Sequence, residues 1–519
     1  MAQPDRAPPL VIVGIDAADP ELLERWTRDG HLPAIESIMR RGCWGITSGA
    51  EMISEHGLWV SLFSGVSRAQ HEYYYFRQLQ PGTYGIRNMT GSDVDVSPFW
   101  SHLATEDRTV VVVDVPDGYP IQGIAGVQVA NWAVHNPLSP PSALPANLLG
   151  ELRGKFKADA LIDENLTGGV EDDRQIYRRL LARVSEKGAL CRHLLTKARF
   201  DLAVMVFAES HTGGHQFWQY RPEAARTARA DAGSDMAHAI RDIYIAIDRQ
   251  LAELLPLLPP DTNIVLVSSV GLRDQYPMHG LSESFCRQLG YQGTPQSTER
   301  PLSLMDRLRR MVPEQWRVAV SRHFSRAMRE RIVANQFRHG TDWSRTTAYA
   351  LPSTYTSHLR VNLRGRDPLG TVEPGDEYHA VLARLESDLR LLVDPVTGRC
   401  PVKSVVRSAE WFGGGTPVLL PDMLVEWEPC DRFIERLQHP KAELTQGRPE
   451  FFRGSDHSLH GFVAATGPDI RGRGALGEIP LLDLAPTFLD LMGVTADARM
   501  NGASHTAMTE GPAVPATQI

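Results

Sequence analysis

Two histidines four residues apart, in the segment His211-Thr-Gly-Gly-His215, follow directly after a continuous apolar run at residues 200–207. Residues four apart on a helical turn share one face, so both imidazoles can reach a single metal ion. Glu209, two residues before the pair, could bind the same ion, orient an imidazole or act as a base. A structural role for the pair is equally compatible with its spacing, so both interpretations stay open.

A third histidine lies in a polar, glycine-flanked segment near the end of the chain, Arg453-Gly-Ser-Asp456-His457-Ser-Leu-His460-Gly461. A histidine in such a loop is either a surface residue or a ligand. Asp456, which precedes His457, could orient the imidazole of a ligand through a hydrogen bond.

Carboxylates and a serine occur at two further positions that could do chemistry. Asp16 ends the apolar run at residues 10–15 and suits either a metal site or a helix cap. Ser54 and Glu55 lie in a turn, Ile-Ser-Glu-His-Gly, that leads into a predicted helix containing Trp59. This turn brings together several side chains that could act as a nucleophile, base or ligand.

The elements around these residues indicate an α/β fold. Four apolar, β-branched runs, at residues 10–16, 109–114, 200–207 and 263–268, alternate with amphipathic helical patterns such as residues 236–258. This alternation predicts a mostly parallel sheet with helices on both faces. Ligands of such sheets bind at the carboxyl ends of the strands, which is where the polar residues follow each run.

Changes in pattern along the chain predict several segments within or beside this core. An arginine-rich helical pattern near residues 307–338 is either a solvated basic face or an electrostatic guide for an anionic substrate. The predicted segments are an α/β core at 1–280 and 431–505, an arginine-rich helical insertion or lid at 281–340, a smaller β-rich α+β unit at 341–430, and a flexible tail at 506–519.

Composition limits the classes of partner. The 519 residues contain 54 basic and 62 acidic side chains, a formal net charge of −8, which gives no general attraction for nucleic acid or anionic membranes. The five cysteines have no metal-binding or redox spacing, the amino-terminal residues lack a signal-peptide pattern, and no apolar stretch is long enough to span a bilayer. We therefore expect a cytoplasmic protein that binds neither nucleic acid nor membranes, and its oligomeric state is not predicted.

Taken together, these segments resemble the alkaline phosphatase superfamily, in its type I phosphodiesterase/nucleotide pyrophosphatase branch. The similarity includes the opening strand with Gly-Ile-Asp16, the helix Trp-Val-Ser-Leu-Phe-Ser-Gly that begins at Trp59, and the segment that ends at His215. It continues through His457-xxx-Gly461 and nearly to the end of the chain. The resemblance implies an alkaline phosphatase-like core, an ester hydrolase and a site for two divalent metal ions.

Several positions depart from the pattern of that family. Its nucleophile, a threonine or serine four residues before the tryptophan, corresponds to Glu55, with Ser54 beside it. An aspartate and a histidine that bind one metal correspond to Ser269 and Val270. The aspartate of its Asp-xxx-His motif corresponds to His211.

The resemblance then implies one complete metal site and one incomplete site. His211, His215 and His457 would bind one divalent ion tightly, and zinc, iron and manganese all suit three imidazoles. Asp16 and Glu55 would remain at the second site, which makes a second metal doubtful, unless Asp274 or His279 compensates.

Three functions are compatible with this set of residues. The first is a metal-dependent hydrolase of a small anionic ester, with Glu55, Ser54 or Glu209 as catalytic candidates. The second is a mononuclear three-histidine metalloenzyme with Lewis-acid or oxidative chemistry in specialised metabolism. The third, a relative that has lost its activity, is disfavoured because the substitution at His211 replaces one good ligand by another.

Overall fold

The computed structural model describes residues 6–54, 56–135, 137–157, 169–197, 199–224, 228–295, 326–449 and 452–510. Contacts divide the chain into two compact units. The first unit comprises Met1–Tyr73, Thr90–Asp274 and Arg453–Ile519, and the second comprises Tyr74–Met89 and Gln275–Phe452. The boundaries at 280, 340, 430 and 505, which the sequence predicts, are not tested by this division into two units.

Nineteen strands occur in the described residues. They are β1 (Leu10–Ile15), β2 (Cys43–Ser48), β3 (Arg77–Leu79), β4 (Ile86–Asn88), β5 (Thr109–Val113), β6 (Ala125–Ala130), β7 (Ser142–Leu144), β8 (Leu202–Phe207), β9 (Asn263–Val267), β10 (Arg273–Asp274), β11 (Ala348–Leu351), β12 (Ser357–Val361), β13 (Val402–Arg407), β14 (Met423–Trp427), β15 (Arg436–His439), β16 (Ala442–Thr445), β17 (Ser455–Asp456), β18 (Phe462–Thr466) and β19 (Gly474–Pro480).

Fifteen α-helices occur in the same residues. They are α1 (Pro20–Arg28), α2 (Pro33–Arg41), α3 (Leu58–Ser64), α4 (Arg68–His71), α5 (Leu148–Lys155), α6 (Val170–Lys197), α7 (Glu209–Phe217), α8 (Ala228–Ala232), α9 (Ala239–Leu254), α10 (His279–Gln288), α11 (Arg326–His339), α12 (Asp376–Arg390), α13 (Ser408–Trp411), α14 (Leu484–Leu491) and α15 (Thr506–Thr509).

The first unit is built on a nine-stranded sheet, counted over the described residues, in the order β19-β2-β18-β9-β1-β8-β5-β6-β7. The run from β9 to β6 is parallel throughout, whereas β18 and β7 pair antiparallel with their neighbours. The predicted α/β class, with its mostly parallel sheet, is confirmed, and all four predicted strands are present.

Burial on both faces explains why the central strands are apolar without alternation. Val11, Val13 and Ile15 of β1 pack into one hydrophobic cluster, and Leu10 and Ile12 pack into another. Helices α6 and α9 contribute to the first cluster, and α3 and α14 contribute to the second. The predicted helices on both faces of the sheet are therefore confirmed.

The second unit has a four-stranded antiparallel sheet in the order β11-β12-β14-β13, with helix α12 and two strand pairs, β3–β4 and β15–β16. Residues 296–325, the middle of the predicted arginine-rich insertion, lie outside the described residues. Within the predicted tail, helix α15 buries Met508 completely, and residues 511–519 lie outside the described residues.

Among the described helices, none is long and apolar enough to cross a membrane.

Candidate metal centre

The candidate site lies at the carboxyl ends of the parallel strands of the first unit. Asp16 follows β1, helix α7 begins two residues after β8, and Ser268 and Ser269 follow β9. Because β8 and β9 are the two neighbours of β1, these three strands end side by side at one edge of the sheet. The topology therefore brings together residues that are far apart in sequence, as in the hydrogen bond that Ala18 N donates to Ser268 Oγ across 250 positions.

Helix α7 places the histidine pair. His211 and His215 are separated by one turn of this helix, as the spacing predicts, and their ring centroids are 4.9 Å apart. Two glycines between them let the helix approach its neighbours closely. A Cβ atom at Gly213 would lie 2.3 Å from Ile243 Cδ1, and one at Gly214 would lie 2.2 Å from Leu272 Cδ1. The segment His-Thr-Gly-Gly-His thus combines a ligand pair with tight packing.

His457 completes a cluster of three imidazoles, hereafter the imidazole cluster. One ligand nitrogen from each of His211, His215 and His457 lies within 4.8 Å of the others. The Nε2 atoms of His215 and His457 are 3.2 Å apart. Two nitrogens bound to one tetrahedral zinc at about 2.0–2.1 Å are about 3.3–3.4 Å apart, so this separation suits a shared ion.

The other ring nitrogen of each histidine has a hydrogen-bond partner that fixes the ring. The Nδ1 contacts are His211 with Asp16 Oδ2 at 2.8 Å, His215 with Ser455 Oγ at 2.9 Å, and His457 with the carbonyl oxygen of Gly271 at 3.3 Å. These partners engage Nδ1 and leave Nε2 for a metal, which is the arrangement typical of histidine ligands in proteins.

Electrostatics supports the same protonation states. Burial, with the nearby charge of Arg453, holds the pKa of His215 well below its ordinary value, so this imidazole is neutral and can donate a lone pair. Burial alone would raise the pKa of Asp16. The interactions with His211, which include a hydrogen bond, outweigh that effect and lower the pKa, so Asp16 is a carboxylate. The donor set therefore fits one divalent ion of the zinc, iron or manganese type.

Among the described residues, those expected at a second metal site have protein partners or offer no ligand atom, and Glu55 lies outside this part of the chain. Asp16 Oδ1 accepts a hydrogen bond from Trp59 Nε1 at 2.8 Å, while Oδ2 contacts His211, so both oxygens already have nitrogen partners. Ser269 and Val270 are both buried, and valine offers no ligand atom. Asp274 accepts hydrogen bonds from Trp218 and Arg221, and His279 belongs to the second unit.

Glu209 is the first residue of α7, two positions before His211, and is completely buried. Its Oε1 atom accepts a hydrogen bond from Arg183 Nε at 2.8 Å and lies 3.4 Å from Lys187 Nζ. Among the described residues, its polar contacts are with these two cations and not with the histidines. Glu209 is therefore close to the histidine pair in sequence, but its side chain forms ion pairs with Arg183 and Lys187.

Of the two candidates at the nucleophile position, the structure describes Ser54 and not Glu55. Glu55 lies outside the described residues. Ser54 is buried, and its carbonyl oxygen accepts a hydrogen bond from Arg68 Nη2 at 3.0 Å. The same guanidinium donates to the carbonyl oxygen of His56 at 2.8 Å, so Arg68 holds the backbone on both sides of position 55.

A serine and histidine in contact near this turn do not form a nucleophile pair. Ser61 Oγ is 2.8 Å from His71 Nε2, but His71 Nδ1 accepts a hydrogen bond from the backbone N–H of Tyr73. Burial and the charge of Arg68 lower the pKa of His71 to about 3, so the ring is neutral and its proton is on Nε2. His71 therefore donates to Ser61, and Ser61 donates to Glu51.

His135 is a site residue that the sequence analysis missed. Its ring stacks on that of His211, with centroids 3.7 Å apart and an interplanar angle of 13°. His135 Nδ1 lies 3.3 Å from Thr212 Oγ1, on the first turn of α7. Its position could have indicated this role, because His135 follows the carboxyl end of β6, a parallel strand of the same sheet, by five residues.

Comparison with known proteins identifies the class. The family model for type I phosphodiesterase / nucleotide pyrophosphatase matches residues 10–284, just over half of the chain. The chain therefore belongs to the type I phosphodiesterase/nucleotide pyrophosphatase family, and its fold is alkaline phosphatase-like, as the resemblance predicted. The comparison with curated proteins found no match.

Solved structures with similar folds have low sequence identity to this chain. Phosphonoacetate hydrolase from Sinorhizobium meliloti 1021, in complex with phosphonoformate, is 13% identical, with 95% of this chain and 96% of that chain covered and a TM-score of 0.50. Murine ectonucleotide pyrophosphatase / phosphodiesterase 5 is 12% identical over 95% of this chain and 97% of that chain, with a TM-score of 0.46. The human protein of that name is 10% identical, with the same coverage and TM-score.

Proposed function

We propose that this chain is a hydrolase of small anionic esters, of the phosphate or phosphonate type, that uses one divalent metal ion. The family supports hydrolysis of phosphoryl esters. The observation that carries the metal dependence is the imidazole cluster, in which three ligand nitrogens converge and each remaining Nδ1 atom has a partner. A divalent ion in this cluster would supply Lewis-acid stabilisation of developing negative charge.

In this proposal the residues around the cluster orient the ligands. Asp16 fixes the ring of His211 and raises the basicity of that imidazole, and Ser455 does the same for His215. Asp16 therefore acts beside the ligands and not as one of them. Its second oxygen, engaged by Trp59, supports a single ion in place of the pair expected from the family.

Glu55 and Ser54 remain alternative candidates for the reacting side chain. Glu55 occupies the position that corresponds to the family's nucleophile and could act as a base or as a further ligand. A carboxylate is a poor replacement for a hydroxyl nucleophile, because the acyl phosphate that it forms must itself be hydrolysed. Glu55→Gln should therefore remove most of the activity, and Ser54→Ala should have little effect. The reverse result would assign the nucleophile to Ser54.

A second function is favoured by the state of Asp16. With both carboxylate oxygens engaged and no ligand atom at Val270, the described residues would not hold the second cation that balances charge in two-metal phosphoryl transfer. A mononuclear enzyme with Lewis-acid chemistry on a different oxygen-rich substrate is the alternative. We also propose a cytoplasmic location for this chain and, with the alternative chemistry, a role in specialised metabolism.

The experiment that separates these functions measures turnover and metal content together. The chain, purified without chelator, is loaded with zinc, manganese or ferrous ion and assayed with 4-nitrophenyl phosphate and bis(4-nitrophenyl) phosphate. The hydrolase proposal expects metal-dependent turnover that is lost in His215→Ala. Turnover should be retained in His102→Ala, a control histidine outside the imidazole cluster whose Nε2 atom lies 3.9 Å from Asp497 Oδ2. Turnover that persists fully in His215→Ala would contradict it. One bound ion without turnover of either ester would support the alternative.

A further inference from the structure

A loop that follows β6 carries His135 to the imidazole cluster, and buried charges hold the backbone of this loop. Both carboxylate oxygens of Asp114 accept backbone hydrogen bonds, from Trp132 N at 2.7 Å and Ala133 N at 2.8 Å. The carbonyl oxygen of Ala133 accepts hydrogen bonds from Arg183 Nη2 at 2.6 Å and Lys187 Nζ at 2.7 Å. Four strong, charge-assisted bonds therefore converge on two consecutive residues of the loop.

The charges that hold the loop belong to one group of four side chains, hereafter the buried quartet: Asp114, Arg183, Lys187 and Glu209. Each of these side chains is at most 4% exposed. Lys187 Nζ lies 3.2 Å from Asp114 and 3.4 Å from Glu209, and Arg183 binds Glu209, so two positive and two negative charges balance. Burying four charges is costly, and a hydrophobic substitute would often be as stable, so stability alone does not account for the quartet.

The loop that the quartet fixes ends in a ring contact with a metal ligand. His135 lies two residues after Ala133, and its imidazole covers one face of His211 at a centroid distance of 3.7 Å. On its edge, His211 contacts Asp16 through Nδ1. The orientation of His211 is therefore set from two directions, by a carboxylate in the plane of the ring and by a second ring above that plane.

His135 itself is not placed as a fourth ligand to the same ion. An imidazole binds a metal through a lone pair that lies in the plane of its ring, at about 2.0–2.1 Å. Because the rings of His135 and His211 are nearly parallel and stacked, an ion in the plane of His211 is out of the plane of His135. The contact of His135 with His211 is therefore ring stacking and not shared ligation of one ion.

We propose that His135 is a positioning residue that sets the metal affinity of the site by stacking on His211, and that the buried quartet exists to place it there. This inference rests on the proposed metal site. Glu209, a catalytic candidate from the sequence, acts in this arrangement by balancing the two cations that hold the loop.

The test compares Co²⁺ binding by the full chain and its variants, followed through the visible absorption of the bound ion and its dissociation constant. His135→Ala should weaken binding by about 10-fold or more, as the loss of a residue that orients a ligand does. His135→Phe keeps an aromatic ring without ring nitrogens and should restore most of the affinity. His102→Ala should bind Co²⁺ as the unmodified chain does.

A second pair of variants tests the quartet. Arg183→Met combined with Glu209→Gln removes one positive and one negative charge, and should weaken Co²⁺ binding in the same direction as His135→Ala. Arg192→Met is the matched control, because Arg192 lies on the same helix but contacts Gln250 and Glu253. Circular dichroism establishes whether each variant is folded. If the double variant does not fold, His135→Ala and His135→Phe still test the proposal.

The outcomes separate this inference from the proposed function. Unchanged Co²⁺ affinity in His135→Ala would overturn the inference and leave the metal site intact. Equal losses in His135→Phe and His135→Ala would also overturn it, because a ring nitrogen would then be required. No Co²⁺ binding by the unmodified chain would overturn the proposed metal site and the inference together.

Discussion

Two polar regions at the same edge of the main sheet use their hydrogen bonds in opposite ways. In the imidazole cluster, acceptors engage the outer nitrogen of each histidine, so the inner nitrogens converge on one point. In the neighbouring region, donors from Trp59 and His211 engage both oxygens of Asp16, so a potential ligand is directed to protein partners. The comparison shows that histidines and carboxylates favour a metal site when their non-ligating atoms have protein partners and their ligating atoms are left to converge.

The largest expected effect is the loss of the ion from the imidazole cluster in His215→Ala. His215 is buried, and its Nε2 atom faces that of His457. Removal of one of three ligands should weaken binding by more than the about 10- to 100-fold that removal of an orienting partner causes. Metal content after gel filtration measures this, with His102→Ala as the control. Full metal content in His215→Ala would break the distinction between the two regions.

A smaller effect is expected for Asp16→Asn, because Asp16 connects the two regions. The substitution keeps the shape of the side chain but replaces a charged acceptor of the His211 contact by a neutral group. Metal affinity should fall by about 10- to 100-fold while the ion still binds. Competition with a chelator measures the dissociation constant, and Asp117→Asn is the isosteric control. Complete loss of the ion in Asp16→Asn would show that Asp16 is itself a ligand.

The sequence was sufficient to predict the central strands and the histidine pair. The apolar runs predict β1, β5, β8 and β9, because strands buried on both faces must be continuously apolar. The spacing of His211 and His215 predicts a shared helical face, and their position after β8 predicts the edge of the sheet. Resemblance to the family assigned His457, more than 240 residues further along the chain, to the same site as this pair.

The contacts that decide the role of each residue could not be predicted in the same way. The partners of Asp16 are Trp59, which lies on α3, and His211, which lies on α7, and neither is near Asp16 in sequence. Arg183 and Lys187 face inward from α6, where their spacing is equally typical of a solvated helix face. Such contacts depend on how helices pack against the sheet, which local pattern does not determine.

Trp59→Phe tests the contrast between the two regions through a smaller effect, a loss of unfolding free energy without a change in metal content. The variant keeps the aromatic ring but removes the N–H donor to Asp16, and a hydrogen bond to a charged group contributes about 1.5–3 kcal/mol. We expect a loss of unfolding free energy near the lower end of that range, measured by urea denaturation. The metal content should remain at one ion per chain, because Ser269 and Val270 still provide no adequate ligand set. A second ion in this variant would show that Trp59 alone excludes it.

The smallest expected effect concerns Asp117, which accepts a hydrogen bond from Tyr73 in the region of Asp16. Burial, with the charge of Asp16, raises the pKa of Asp117 to about 6 in the folded chain. Because the folded pKa lies above the unfolded value, the ionised carboxylate destabilises the fold as pH rises from about 4 to about 6.

Asp117→Asn should remove that pH dependence. Relative to the unmodified chain, the variant should be equally stable below about pH 4 and more stable at pH 7, by about 1 kcal/mol. The partial access of Asp117 to solvent reduces the effect below the about 1.4 kcal/mol that each pKa unit carries when it is fully realised. Urea denaturation of both proteins at a series of pH values measures the difference. A constant difference across this range would contradict the assignment.

Metal stoichiometry tests the contrast between the two regions most directly. The full chain, purified without chelator and saturated with zinc, is analysed for metal and for protein concentration in the same sample. The account predicts one tightly bound ion per chain, which is lost in His215→Ala and retained in Trp59→Phe. Two equivalent ions per chain would contradict it, because Asp16 and its neighbours would then form a second metal site.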